Sequence, residues 1–199
     1  MKAFYIKEII EAGVDEAGRG PLLGRVYAAA VVLNPEIPYN DKLIKDSKKI
    51  SKKGLSISEG YVKKIALDWS VAYSSAKRID EINILQATQE AMHKAIDNLN
   101  VKPEFLLIDG NYFKPYQDVQ CNCIIKGDDS YFSIAAASIL AKTARDRYIE
   151  ELCNEDSSLD EKYGIKSNKG YGSSQHMSGI QKYGISEWHR KTFGICKNY

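Results

Sequence analysis

Carboxylates stand in this chain where the surrounding pattern is apolar. Asp15 and Glu16 close the stretch Gly13-Val14-Asp15-Glu16, Asp109 closes Phe105-Leu106-Leu107-Ile108-Asp109, and Asp128 follows Lys126-Gly127 just past the run Val119 to Ile125. A single acid at a strand end is ordinarily a solvated turn residue. Several of them at the ends of neighbouring strands can converge in the crevice where a sheet opens. Converged carboxylates repel one another unless a cation neutralises them, and a set of oxygen donors without His or Cys suits Mg²⁺ or Mn²⁺. Two such ions about 4 Å apart would clamp the attacking and leaving oxygens of an in-line phosphoryl displacement.

Other chemistries find less support. The four cysteines, Cys121, Cys123, Cys153 and Cys196, lack the density of a disulfide scaffold and the second ligand pair of a zinc site. Cys121 and Cys123, two apart, are expected to share one strand face as small buried hydrophobes. No arrangement signals a serine or cysteine nucleophile. Gly18-Arg19-Gly20 offers a flexible backbone and a fork of phosphate-binding donors beside the first acids. No Lys-Ser/Thr follows, so it is not a nucleotide-binding glycine loop. Tyr171, between Gly170 and Gly172 and next to Lys169, is placed to be exposed.

The elements that must position these groups follow from periodicity. Glu11 to Asp15 and Arg25 to Leu33 read as strands around a glycine-rich turn. Asp46 to Ser51 carries loop and helix-start signals, and the helix after it runs to about Ala66, weakened by Gly54 and Gly60. Asp68 to Ser75 alternates as a third strand. Ile82 to Leu99 predicts an amphipathic helix with Leu85, Met92, Ile96 and Leu99 on one face. Phe105 to Asp109 and Val119 to Ile125 predict two more strands. Ser130 is expected to cap a long helix with Ile134, Ala137, Ala141, Ala144, Tyr148 and Leu152 as its stripe. Residues 154–170 read as loop, with short helices near Gln175 to Lys182 and Ser186 to Arg190. Strands followed by alternating helices and strands predict an α/β fold: a mixed β-sheet flanked by helices, with a small helical C-terminal lobe at about 154–199. Adjacent strand residues face opposite ways, so Asp15 and Glu16 can share a site only if the strand ends or bulges there, or if Glu16 reaches around with its longer side chain.

The chain has 199 residues, a hydrophobic fraction of 44% and a formal net charge of +2. This suits one domain, 1–199, with a sizeable core, and excludes disorder. No apolar run approaches the roughly 18–20 residues of a membrane span, and the first residues do not read as a signal peptide. A cytoplasmic location with reduced thiols is the expectation. The near-neutral total conceals an asymmetry. From residue 161 onward there are seven bases (Lys162, Lys166, Lys169, Lys182, Arg190, Lys191, Lys197) against two acids (Glu161, Glu187), while the rest of the chain is net acidic. A basic segment on an acidic body suggests metals at one place and phosphates at another.

These segments together resemble type 2 ribonuclease H, the bacterial ribonuclease HII family. Gly13 to Leu22 resembles its opening motif. Asp46-Ser47-Lys48-Lys49, Leu107 to Asn111, Lys126-Gly127-Asp128, Ser133 to Lys142, Asn168 to Gly172 with His176, and His189 to Phe193 resemble later motifs in the same order. The likeness spans residues 12 to 196. It implies a ribonuclease H-like fold and an endonuclease that cuts the RNA strand of RNA–DNA hybrids. It also implies incision 5′ to ribonucleotides embedded in duplex DNA, by two-metal-ion catalysis with Mn²⁺ or Mg²⁺, leaving 5′-phosphate and 3′-hydroxyl ends. It assigns Asp15, Glu16, Asp109 and Asp128 as the catalytic and metal-binding set, with Asp129 at the surface. Gly18, Arg19 and Gly20 would sense the ribose 2′-hydroxyl. Tyr171 would stack on a neighbouring deoxyribose, and Ser47 and Lys169 would join the nucleic-acid contacts. Lys48 and Lys49 are expected to meet phosphates, with a solvated helix start as the competing reading, and Lys142 and Arg145, three apart on the long helix, to flank the duplex. Ser173 stands where the family commonly has Thr, and the long N-terminal domain of ribonuclease HIII has no counterpart before Asp15. The chain is expected to act as a monomer. The competing readings are another two-metal nuclease with the same sheet, which would need no ribonucleotide, and a hybrid-binding protein without catalysis.

Overall fold

The computed structural model describes residues 1–45, 47 and 50–199. Asp46, Lys48 and Lys49 lie outside the described residues, and with them the expectation that Lys48 meets nucleic acid. Among the described residues five strands form one sheet: β1 (Glu11–Ala17), β2 (Val26–Leu33), β3 (Ala66–Ser74), β4 (Phe105–Asp109) and β5 (Gln120–Ile124), in the order β3-β2-β1-β4-β5. β1, β2 and β3 pair antiparallel, and β4 and β5 run parallel to β1. The sheet is therefore mixed, as the sequence predicts.

Both faces of the sheet are covered. Along β2 every residue is buried, so alternate side chains enter two different cores. Ala28, Ala30 and Val32 meet Ala91, Met92 and Ala95 of α2 (Ala76–Asp97). Ala29, Val31 and Leu33 meet Ala135, Ala136 and Ile139 of α4 (Phe132–Glu155) and Val62 of α1 (Lys52–Ile65). The small side chains let α4 lie almost on the strands. At Gly13 an added Cβ would fall 2.2 Å from the Ser133 carbonyl carbon, so only glycine admits the helix there.

Several expected boundaries move. Ser51 caps α1 by accepting from Gly54 N–H. α2 begins at Ala76, six residues before the predicted start, because Ser75 caps it, and it kinks at Asn83, whose φ is +66°. The kink takes Leu85 off the buried stripe, and it is exposed. Ser130 does not cap α4. It ends a one-turn helix, α3 (Gly127–Ser130), and donates its hydroxyl to the Lys126 carbonyl. α4 is buried on nearly every side from Phe132 to Ala141 rather than along one stripe, being held between the sheet and the rest of the chain. Residues 154–170 are largely helical: α4 continues to Glu155, and α5 (Ser158–Tyr163) and α6 (Ile165–Asn168) follow. α7 (Ser174–Tyr183) matches expectation, whereas Ser186 to Arg190 forms turns, with the next helical segment a 3-10 turn at Gly194–Asn198. Cys121 is exposed and Cys123 half-buried, because β5 lies at the sheet edge; the expectation that both are buried fails there. Among the described residues no helix is long and apolar enough to cross a membrane.

Candidate active site

β1 and β4 run side by side from Glu11↔Phe105 to Val14↔Ile108, and their pairing stops there. The next residues in each strand are Asp15 and Asp109. Two parallel strands therefore part with a carboxylate at each parting end, and the cleft that opens is lined by Asp15, Glu16, Asp109, Ser47, Ser138, Lys142, Arg145, Asp146, the Gly18-Arg19-Gly20 loop and Tyr171. Its volume is about 380 Å³.

The expected break in β1 at Glu16 does not occur. β1 stays in register with β2 through Glu16↔Ala28 and Ala17↔Tyr27. Asp15 and Glu16 nevertheless both line the cleft, at the point where pairing with β4 has ended and only β2 still flanks β1; of the expected routes, the longer reach of Glu16 is the one this register leaves. The Glu16 N–H donates to Asp15 Oδ1 at 2.6 Å, and the Glu16 carboxylate accepts from Arg19 at 3.2 Å.

The electrostatics are those of a crowded anionic site. Burial, reinforced by the charges of Glu16 and Asp109, holds the Asp15 carboxyl well above the usual carboxylate range, against hydrogen bonds from Ser138 and the Glu16 amide. Burial also raises Glu16, opposed by the Arg19 guanidinium. Asp109 Oδ1 accepts from Gly127 N–H at 2.7 Å, which ties β4 to the turn that carries Asp128. Asp128 is buried in the first turn of α3 and does not line the cleft itself; Asp129 is exposed, as expected. Among the described residues no three His, Cys, Asp or Glu side chains close into a finished metal cage. The donor set nevertheless fits a hard divalent cation: three oxygen-only carboxylates meet in one cleft, and their mutual repulsion is what a cation would relieve. A second cavity, of about 350 Å³, lies beside the other end of β1; its walls are mainly apolar, and its buried acid, Glu11, already accepts from the Tyr5 and Ile6 amides.

The structure sorts the expected nucleic-acid contacts. Tyr171 is 51% exposed at the cleft, and its ring edge stands over Gly20, 3.4 Å from where a Cβ would sit. Gly18 takes φ +92°, a conformation that L side chains rarely adopt, and its open side is filled by Arg145. Ser47 lines the cleft but is buried, with its Oγ 3.0 Å from Ser138 Oγ. Lys142 lines the cleft and pairs with Asp146 at 2.6 Å. Lys169 does not reach the cleft. Its ammonium lies 3.3 Å from Glu150, and its carbonyl accepts from Arg145 Nη2 at 2.7 Å.

Sequence reasoning missed Arg190. Counted above among the basic charges available to phosphate, it is wholly buried. It donates to the carbonyls of Gly24 (2.9 Å), Arg19 (2.8 Å), Gly18 (2.6 Å) and Arg25 (3.2 Å), bracing the glycine-arginine loop from behind. Burial lowers its pKa to about 9. The basic segment therefore offers one cation fewer to a nucleic acid than its sequence suggests. Glycine spacing marked the loop; nothing local marked its brace.

A mixed sheet that brings carboxylates together where its central strands part is the ribonuclease H architecture. The family model described as Ribonuclease HII matches residues 12–196. The ribonuclease HII of Phocaeicola vulgatus is 47% identical over 189 residues, covering 95% of this chain and 91% of that protein. Among solved structures, the ribonuclease H2 of Pyrococcus horikoshii has a TM-score of 0.75 at 27% identity, with 94% of this chain and 95% of that one covered. The Archaeoglobus fulgidus ribonuclease HII, solved in complex with PCNA, has a TM-score of 0.75 at 25% identity, with 94% and 96% covered. This chain belongs to the ribonuclease HII family. It is an endoribonuclease of the ribonuclease H type, whose substrate is the RNA–DNA hybrid.

Proposed function

We propose that this enzyme cuts both the RNA strand of hybrids and the phosphodiester 5′ to single ribonucleotides embedded in duplex DNA, with Asp15, Glu16, Asp109 and Asp128 as its catalytic carboxylates. The observation that carries the reading is the meeting of Asp15, Glu16 and Asp109 where β1 and β4 part, beside the Gly18–Gly20 loop and the exposed Tyr171. Mg²⁺ or Mn²⁺ held by these acids would supply Lewis-acid stabilisation to the attacking and leaving oxygens of a phosphoryl displacement. The chain's own groups do the rest. Asp109 anchors the Gly127 turn and so fixes where Asp128 stands. Arg19 holds Glu16 and has its own carbonyl held by Arg190, which joins the acid set to the sugar-sensing loop. The Gly18–Gly20 loop lines the cleft, held from behind by Arg190, and its cleft-facing backbone is where we place the ribose 2′-hydroxyl; Tyr171 offers a flat face to the adjoining sugar. Ser47 acts here through Ser138, and Lys169 through its backbone rather than its ammonium. Cytoplasmic nucleic acid is the setting we assign, and the four free thiols accord with it.

The test is cleavage of a DNA duplex carrying one ribonucleotide, beside all-DNA and RNA–DNA duplexes, with Mg²⁺ or Mn²⁺. Cutting at the ribonucleotide and in the hybrid, with the all-DNA duplex intact, is expected. Equal cutting of all-DNA would overturn the reading. Asp109→Asn is expected to abolish cleavage and retain hybrid binding; full activity in that variant would show the site to be misplaced.

A further inference from the structure

Behind Tyr171 lies a chain of hydrogen bonds that the cleavage chemistry does not use. His176 and His189 are both buried, with Nε2 to Nε2 at 3.0 Å. His176 Nδ1 lies 2.9 Å from the Tyr171 carbonyl, and His189 Nδ1 lies 2.9 Å from the Ser186 amide nitrogen and 2.8 Å from Ser186 Oγ.

The protons in this chain can be placed from either end. A carbonyl oxygen only accepts, so His176 Nδ1 carries a hydrogen, and in a neutral ring its Nε2 is then an acceptor. Starting from the other end, a backbone N–H only donates, so His189 Nδ1 is the acceptor and its Nε2 carries the hydrogen. The two deductions share no premise and agree at the junction, where His189 Nε2–H donates to His176 Nε2. Donation runs one way, from Ser186 N–H through His189 and His176 to the Tyr171 carbonyl. Protonating His176 would set two N–H groups against each other at that junction, protonating His189 would set a new Nδ1–H against the Ser186 N–H, and burial, which pushes both imidazoles down, opposes each.

The surroundings make the relay rigid. Ser173 caps α7 by accepting from His176 N–H. The Tyr163 ring stands edge-on to both imidazoles, at 5.9 and 4.9 Å, and its hydroxyl donates to Gly184. The far end is tied to the cleft by backbone bonds: Gly24 N–H donates to Trp188, Arg190 N–H to Leu22, and Leu22 N–H to Gly170.

We propose that His176 and His189 are positioning residues that hold the Tyr171 backbone by this one-way relay and so aim the Tyr171 ring at the substrate strand. The inference rests on Tyr171 touching the nucleic acid, as proposed above. A ring exposed on a glycine-flanked turn would otherwise sample many directions, and ordering it only at binding would cost affinity. The relay settles its direction beforehand.

Two experiments test this on the full chain. Long-range ¹H–¹⁵N spectra near pH 7 should show His176 as the Nδ1–H tautomer and His189 as the Nε2–H tautomer, both neutral; opposite tautomers, or an imidazolium at either position, would overturn the relay. The second is a cycle of kinetic measurements on the single-ribonucleotide duplex. The Tyr171 carbonyl accepts from the Ser173 N–H as well as from His176; His176→Leu removes the His176 bond and should raise KM by up to about tenfold, the worth of one hydrogen bond, with kcat within about twofold. His176→Asn, which keeps a donor near the Nδ1 position, should recover most of that loss. In a Tyr171→Ala background His176→Leu should add nothing further, because it acts through the missing ring. The same loss in both backgrounds would show a merely structural role and overturn the proposal. An unchanged KM in Tyr171→Ala alone would instead remove the contact on which the proposal rests, and the tautomer assignment would survive as a structural fact.

Discussion

The close approach of α4 to β1 predicts opposite outcomes for the same substitution at two glycines. In Gly13→Ala the new methyl would lie 2.2 Å from the Ser133 carbonyl carbon and 2.4 Å from both the Ser133 oxygen and the Ile134 nitrogen. All three are backbone atoms, so no side chain can swing away. Ordinary contact begins near 3.4 Å, so the first turn of α4 must withdraw by about 1 Å or more. It cannot withdraw freely, because Ser133 and Ile134 are buried and Ile134 packs on Leu107 of the neighbouring strand. Overpacking costs roughly 1–3 kcal/mol where side chains can adjust, and rigid backbone places this site at the upper end, about 3 kcal/mol. In a chain of this length that lowers Tm by about 6–12 °C. The shift should also reach the cleft, because Ser138 on the same helix hydrogen-bonds to Asp15. Gly60→Ala is the matched control. Gly60 is exposed within α1 with nothing within 4 Å of the added carbon, so alanine should stabilise by up to about 1 kcal/mol through helix propensity and a less flexible unfolded chain. Thermal denaturation followed by circular dichroism, with hybrid cleavage at 25 °C, reads both. A Gly13→Ala protein melting within 2 °C of the parent would show that α4 does not lie on β1 as described.

Two further outcomes follow from buried charge. Arg190→Lys replaces a planar fork with three donors that cannot reach four carbonyls, so it should cost about 2–4 kcal/mol and lower kcat/KM on the single-ribonucleotide duplex more than tenfold; parent-like melting and kinetics would refute the brace. Asp15 has a folded-state pKa above its unfolded one, so the metal-free fold binds protons more readily than the unfolded chain and loses stability as pH rises through that folded value. In EDTA, Asp15→Asn should therefore melt a few degrees above the parent at pH 8, with the gap narrowing toward pH 5, while cleavage is lost; a gap independent of pH would place the carboxylate outside the crowded cluster.

The residues explain what the sequence could disclose. β4 was legible to the residue because an apolar run ends in an acid, and the β2 run because both its faces are buried. The acid pair at 15 and 16 was legible as chemistry but not as geometry. β1 keeps its register with β2 through Ala17, so neither a bulge nor a break at Glu16 is present, and the point where β1 and β4 cease to pair is not written in either strand alone. Residues 154–170 were misread because their helices are short and broken by Gly164, although Leu159 and Tyr163, four apart and both buried, were a usable signal. Leu85 left its stripe at Asn83, a kink that periodicity cannot show. Arg190 was the largest omission. A charge pattern records that a cation exists, and only the folded chain shows that loop carbonyls far away in sequence have claimed it.

That separation bears on when the enzyme becomes an enzyme. The four bonds from Arg190 span between 165 and 172 residues. A growing chain emerges from its N-terminal end, so Asp15, Glu16, Asp109 and Asp128 are all made before the residue that secures the loop beside them. Contacts of such long range close late in folding. A chain translated past Asp128 but short of His189 thus carries all four acids without a braced Gly18–Gly20 loop, and without the His176–His189 support for Tyr171. An RNA-cutting enzyme made on an RNA template completes the cleft beside its carboxylates only when nearly all of it has been translated.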